Sequence, residues 1–269
     1  YKFRQKVSPK MYIFNADLDN TLIFSYKHNI GIEKLNVELY QGREISFMTE
    51  LSFKLLKEVN KKAVFVPTTT RTAEQYKRID FGMGPLKYAL VCNGGILLKD
   101  GIEDEDWYQK SLELAGPASA ELDKAAGFLE KDLRRSFEVR FINRLFVFTK
   151  CRESLQVVKT LRSLLNTLLV EVFNNGEKIY VLPKKLNKGK AILRFREKLS
   201  SEFNLEAPKI LAAGDSEFDT AMSRTADVFI APYNSQAVFG QSKNLIFMSG
   251  KQVFSDEMLQ YILNYIDNT

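Results

Sequence analysis

Four apolar runs in this sequence each end in a short polar cluster. Met11–Ala16 runs into Asp17-Leu18-Asp19-Asn20-Thr21, and Ala63–Val66 runs through Pro67 into Thr68-Thr69-Thr70-Arg71. Tyr88–Cys92 runs into Asn93-Gly94-Gly95, and Ile210–Ala213 into Gly214-Asp215-Ser216-Glu217-Phe218-Asp219. Asp17 and Asp19 are two apart, so in extended backbone both carboxylates leave on the same side. Together with Asp215 and Asp219 they would repel one another unless protonated or neutralised by a cation. Oxygen ligands with no His or Cys nearby select a hard ion, and Mg²⁺ fits best. Thr69 adds a hydroxyl and Lys188 an ammonium, the groups that hold the equatorial oxygens of a phosphoryl group. Each cluster alone has a plainer account as a turn or a helix cap. All four in this order do not.

Something must bring these clusters together, and the alternation of short apolar runs with helical patterns supplies it: an α/β protein. In a parallel α/β sheet the carboxyl ends of the strands share one edge, where ligands bind. The four runs are expected as strands with their polar clusters meeting in one crevice, and Asp227–Ile230 and Leu245–Met248 add two more. Helices are expected over about Phe47–Asn60, with Leu51, Leu55 and Val59 on one stripe, and over Thr72–Ile79, Lys188–Phe203 and Asp256–Ile266. Leu22–Ser46, which contains His28, reads as an extended hairpin or flap, with His28 a surface residue.

Between Gly95 and Pro183 the pattern changes. Ala118–Arg135 and Glu153–Leu165 read as helices, the former with Leu122, Ala125, Leu129 and Leu133 at helical spacing. Glu138–Arg140, Leu145–Phe148, Leu168–Phe173 and Lys178–Leu182 read as strands, with Asn174-Asn175-Gly176 a hairpin signal. Residues 96–184 therefore form an inserted α+β unit, with Gly94-Gly95 and Pro183 as hinges.

The chain has 269 residues, 45% of them hydrophobic and 27% charged, which excludes wholesale disorder and leaves ample material for a core. Two cysteines, Cys92 and Cys151, are too few for a disulfide framework. No apolar run approaches the roughly 20 residues of a membrane span. The expectation is a cytoplasmic protein without membrane or nucleic-acid partners, a monomer or weak homodimer. It begins at Tyr1 rather than Met, which is compatible with a removed leader. The balance of 39 Lys and Arg against 33 Asp and Glu gives +6, suited to small anions.

On its four polar clusters the sequence resembles the haloacid dehalogenase superfamily of phosphohydrolases. Asp17-Leu18-Asp19-Asn20-Thr21 matches the first motif, Asp-x-Asp-x-Thr. Thr69, two before Arg71, resembles the second-motif Ser/Thr. Lys188, in Asn187-Lys188-Gly189-Lys190, resembles the third-motif lysine, and Gly214-Asp215 with Asp219 the fourth, acidic motif. The insertion falls where the Cof-type and sucrose-phosphatase-like branches carry a large α+β cap. The resemblance implies a Rossmann-like three-layer core of residues 1–95 and 185–269, with residues 96–184 as a cap that chooses the substrate.

It also implies roles. Asp17 attacks phosphorus and forms an aspartyl-phosphate, while Asp19 protonates the leaving alcohol and then activates water. Mg²⁺ is held by the Asp17 carboxylate, the Asp19 carbonyl and Asp215, with Asp219 in support. Thr69 and Lys188 hold the phosphoryl oxygens, and Arg71 and Asn93 face substrate or cap. Two departures stand out: Glu217-Phe218 where the branch has Asn before its last acid, and Thr70 where Gly is usual. The expected activity is Mg²⁺-dependent hydrolysis of a small phosphorylated metabolite, with a sugar phosphate favoured. A phosphomutase or phosphotransferase of the same fold is the enzymatic alternative, and a non-catalytic binding module the other. Arg134, Arg140, Arg144, Lys150 and Lys184 are cap cations whose usual fate is solvation, and Trp107 and Tyr180 could stack on a sugar or pack in the cap core.

Overall fold

The computed structural model describes residues 11–204 and 206–269. The chain divides into two compact units, one built from residues up to Pro67, Arg78–Leu86 and Ile192–Thr269, the other from Thr68–Lys77 and Lys87–Ala191. Residues 96–184 lie wholly in the second.

The first unit is organised by a parallel sheet in the order Leu245–Phe247, Val228–Ala231, Lys209–Ala213, Tyr12–Ala16, Val64–Pro67. Tyr12–Ala16 is buried at every position, as expected of a central parallel strand covered on both faces. The Glu50–Lys62 and Phe254–Asp267 helices pack together in this unit, and a buried polar knot joins their first turns. Thr49 caps the first helix by accepting the Ser52 N–H at 2.9 Å. The Thr49 and Ser52 hydroxyls both donate to Asp256 on the second, and the Ser255 hydroxyl lies 2.6 Å from that of Ser52.

Leu22–Ser46 is a hairpin as expected: Lys34–Tyr40 pairs antiparallel with Arg43–Thr49, which also pairs with Phe24–Ser25. Gln41 and Gly42 both have positive φ, which suits the right-handed twist of a two-residue turn. His28 is exposed, and among the described residues it bonds locally, 3.0 Å from the Ser25 hydroxyl.

In the second unit, Val170–Asn175, Lys178–Pro183, Phe146–Lys150 and Arg140–Ile142 form an antiparallel sheet in that order. The helices Ser119–Lys131 and Ser154–Leu164 bury their apolar stripes with Val147, Val172, Ile179 and Val181 of this sheet. A second antiparallel sheet joins Tyr88–Val91, Ile96–Lys99 and Ile102–Glu103, followed by the Glu105–Ala115 helix.

Several elements differ from expectation for local reasons. Phe47–Thr49 is strand, not helix, because Phe47 pairs with Phe24 and Asn36 and Thr49 then caps the helix that follows. The buried stripe is consequently Ser52, Leu56 and Val59, and Leu51 is exposed. The helix after Thr72 covers only Ala73–Tyr76. Beyond it Arg78 turns to the buried Glu38 carboxylate at 3.1 Å, which also accepts from the Ser46 hydroxyl at 2.6 Å. The expected Ala118–Arg135 helix stops at Lys131, where extended Asp132 accepts the Arg134 N–H and guanidinium, leaving Leu133 fully exposed. Tyr88–Val91, expected in the parallel sheet, keeps one parallel bridge, Leu90 to Thr68, and also pairs antiparallel with Ile96–Lys99, because Cys92–Gly95 folds back as a tight turn.

No helix among the described residues is long and apolar enough to cross a membrane. The polar knot sets a stability test. Asp256→Ala strands two buried hydroxyls and should cost about 1–3 kcal/mol, read as a lower urea midpoint with unchanged slope.

Candidate active site

Three strands of the parallel sheet end at Ala16, Pro67 and Ala213, on one edge. The Asp17 N–H extends the ladder by one bond, donating to the Ala213 carbonyl at 3.0 Å. The chain then turns sharply: the Leu18 carbonyl accepts from Thr21, Leu22 and Ile23. That turn ends the two-residue alternation, so Asp17 is buried while Asp19 is exposed.

The carboxylates that meet are those of Asp17, Asp215 and Asp219, with ligand oxygens all within 4.8 Å of one another. Asp219 is fully buried and accepts from the Asp215 N–H (3.1 Å), the Ser216 N–H (3.1 Å) and the Ser216 hydroxyl (3.2 Å). Thr21 donates its hydroxyl to Asp215 at 3.1 Å. Gly214 makes this possible, since a Cβ there would sit 2.3 Å from the Asp219 carboxyl carbon. Glu217 is exposed, and the Ser216 amide and hydroxyl are what hold Asp219.

Thr69, Arg71, Asn93 and Lys188 belong to the second unit. Thr69 is fully buried; its N–H donates to the Leu90 carbonyl at 2.9 Å and its hydroxyl oxygen accepts the Arg71 N–H at 3.2 Å. The Asn93 N–H donates to the Thr69 carbonyl at 2.9 Å, and the Cys92 N–H to the Arg71 carbonyl at 2.7 Å. Lys188 opens the Lys188–Phe203 helix and is 1% exposed. Asn187 caps that helix by accepting the Lys190 N–H at 2.9 Å. An ammonium this deep is costly to bury and has to be matched by acceptors or anions.

Cys92, Asn93 and Gly94 all have positive φ (52°, 59° and 83°), conformations that glycine and asparagine tolerate and a cysteine rarely adopts. Burial pushes the Cys92 thiol up to about 12, so it stays neutral and is no nucleophile at physiological pH.

The aromatic and cationic candidates separate clearly. Trp107 is buried and donates its indole N–H to the Gly94 carbonyl at 3.1 Å, a structural role. Tyr180 stacks with Phe173 at 5.8 Å on its sheet. Arg134 is committed to Asp132, and Arg140 pairs with Glu138. The sequence reading gave no role to Thr21 or Ser216. Thr21 was visible as the last letter of its motif, but Ser216 becomes legible only once Asp219 is seen folded back on it.

A sequence-family profile described as sucrose-6F-phosphate phosphohydrolase matches residues 10–245. No curated protein matches the sequence. Among solved structures, the sucrose-phosphatase of Synechocystis sp. PCC6803, in complex with sucrose and phosphate, superposes with a TM-score of 0.65 at 15% identity, covering 96% of this chain and 98% of that one. A Thermoplasma acidophilum protein gives 0.57 at 16% identity, covering 97% and 100%. A haloalkanoate dehalogenase superfamily phosphatase from Bacteroides thetaiotaomicron gives 0.57 at 15%, covering 98% of each chain.

The packing at Gly214 can be tested against a glycine with open space around it. Gly214→Ala should lose about 1–3 kcal/mol in chemical unfolding by overpacking Asp219. Gly127→Ala, in a helix with nothing within 4 Å, should instead gain up to about 1 kcal/mol.

Proposed function

The chain belongs to the sucrose-6F-phosphate phosphohydrolase family, within the haloacid dehalogenase superfamily of phosphoric monoester hydrolases, and on that premise we propose a Mg²⁺-dependent phosphatase acting on a small sugar phosphate. The observation that carries the reading is the meeting of the Asp17, Asp215 and Asp219 carboxylates at the carboxyl edge of the parallel sheet. Three hard oxygen donors without nitrogen or sulfur suit Mg²⁺. In this reading Asp17, Asp215 and Asp219 hold the ion, with the Asp19 carbonyl as a further ligand. When bound, it neutralises charge on the phosphoryl oxygens.

The chain's own residues then divide the work. An Asp17 carboxylate oxygen attacks phosphorus, the ester P–O bond breaks, and the departing alkoxide takes a proton from Asp19. In the second half Asp19 takes a proton from water, the water oxygen attacks phosphorus, and the bond to Asp17 breaks to release inorganic phosphate. The exposure of Asp19 suits a residue that trades protons with an alcohol and then with water. Thr69 donates its hydroxyl and Lys188 its ammonium to the phosphoryl oxygens, and Arg71 and Asn93 serve the substrate or the cap. Residues 1–95 and 185–269 act as the catalytic core and 96–184 as the cap that selects the alcohol. A sugar is favoured because the Synechocystis relative is described with sucrose and phosphate.

A panel of phosphate esters assayed with and without Mg²⁺ tests the reading. Sugar phosphates should be hydrolysed, EDTA should abolish turnover and added Mg²⁺ restore it. Asp17→Asn should lower kcat at least about 10³-fold with an unchanged circular dichroism spectrum. Retained Mg²⁺-dependent hydrolysis by that variant would remove Asp17 as nucleophile.

A further inference from the structure

The turn at Cys92–Gly94 touches both parts of the second unit that the proposed function assigns to phosphate. On one side, the Cys92 N–H donates to the Arg71 carbonyl at 2.7 Å and the Asn93 N–H to the Thr69 carbonyl at 2.9 Å. On the other, Asn93 Nδ2 donates to the Leu186 carbonyl at 3.4 Å, just ahead of the helix that Lys188 opens. Gly94 lies against the first turn of that helix so closely that a Cβ would stand 2.2 Å from the Ala191 Cβ. Trp107 fastens the turn from a third direction through the Gly94 carbonyl, at 3.1 Å.

The polarity of Asn93 decides how it acts. Its side chain is 5% exposed, its Nδ2 is committed to Leu186, and its Oδ1 has no hydrogen-bond partner among the described residues. An amide oxygen only accepts, and so do the oxygens of a phosphoryl dianion. Direct contact between them would be repulsive. Any part Asn93 has in phosphate binding therefore runs through what it holds. Resting on the proposed function, we propose that the left-handed Cys92-Asn93-Gly94 turn is a positioning clamp that fixes the Thr69 hydroxyl relative to the Lys188 ammonium, with Asn93 its positioning residue and Gly94 the close contact that sets the spacing.

The left-handed backbone is part of the device. A regular strand end would carry the chain straight on beside the Thr69 segment, to which Leu90 already runs parallel. Consecutive positive φ values instead curl three residues tightly enough for the two N–H groups to reach the Thr69 and Arg71 carbonyls while the Gly94 α-carbon meets the helix. Asparagine is among the few non-glycine residues that accept this conformation readily, and of those few its amide also supplies a donor to Leu186.

Trp107 is the only tryptophan in the chain and sits on the turn, so its fluorescence reports this region without an assay of turnover. The test titrates wild type, Asn93→Gly, Asn93→Asp and Gly94→Ala with inorganic phosphate, following Trp107 emission, and measures kcat and KM for the best ester. Asn93→Gly keeps the left-handed backbone and loses the tether; Asn93→Asp keeps shape and backbone preference but loses the donor. Both should weaken phosphate binding about 10-fold and lower kcat by a similar factor or more, with Gly94→Ala at least as severe. A purely structural defect would reduce the active fraction and leave the phosphate Kd and the ester KM at wild-type values. Folded Asn93 variants binding phosphate within twofold of wild type would overturn the clamp. So would a rise in ester KM alone, which would make Asn93 Oδ1 an acceptor for a substrate hydroxyl. If wild type binds phosphate and the variants do not, yet no ester is hydrolysed, the clamp stands and the catalytic reading fails.

Discussion

Everything at the sheet edge answers to one unfavourable interaction, the mutual repulsion of three carboxylates brought within 4.8 Å. At an effective dielectric of about 20 each such pair opposes folding by about 3–4 kcal/mol. That is a large share of the roughly 5–15 kcal/mol that keeps a domain folded. The surroundings offset part of it locally. Asp219 accepts two N–H groups and a hydroxyl, and Asp215 accepts the Thr21 hydroxyl. Gly214 removes the side chain that would keep Asp219 from folding back against the main chain. In the proposed function a hard divalent cation complements the negative charge of the three carboxylates.

Lys188 poses the opposite problem in the second unit. A buried ammonium is as poorly solvated as a buried carboxylate, and placing it at the start of a helix adds the unfavourable positive end of the helix dipole. Helix start and ammonium together would suit an anion, because N–H groups and positive charge both attract one. A doubly charged phosphoryl group is the kind of ligand that would turn both costs into attraction. The +6 balance of the whole chain is a poor guide to this. In the proposed function one buried lysine serves the phosphate, and Arg134 and Arg140 pair with neighbouring acids.

Much of this was legible from the residues. The strands at Tyr12–Ala16, Val64–Pro67 and Lys209–Ala213 were visible because parallel strands read as unbroken apolar runs, and the acids that follow two of them do meet. Illegible features depended on contacts distant in sequence. Asp17 and Asp19 look equivalent by spacing until the Leu18 carbonyl gathers three N–H groups and turns the chain. Tyr88–Val91 has the composition of a central parallel strand and bridges Thr68 in parallel, but its antiparallel partner is set by the turn after it. The early strand–helix switch at Thr49 hung on the pairing of Phe47 with residues more than ten positions away. In each case local pattern gave the element or residue type correctly, or nearly so, and tertiary pairing set its limits.

The clearest break with local rules is also the most instructive. Asn-Gly-Gly reads simply as a turn, but nothing about a cysteine suggests a left-handed conformation, and Cys92 adopts one. Sequences that fold well tend to agree with their structure at every level, so a disagreement that persists is held in place by something nearby. Here the holding contacts are identifiable: the Arg71 and Thr69 carbonyls, the Leu186 carbonyl, the Ala191 methyl and the Trp107 indole. The turn thus joins the loop carrying Thr69 and the helix carrying Lys188 as well as closing the hairpin between Tyr88–Val91 and Ile96–Lys99.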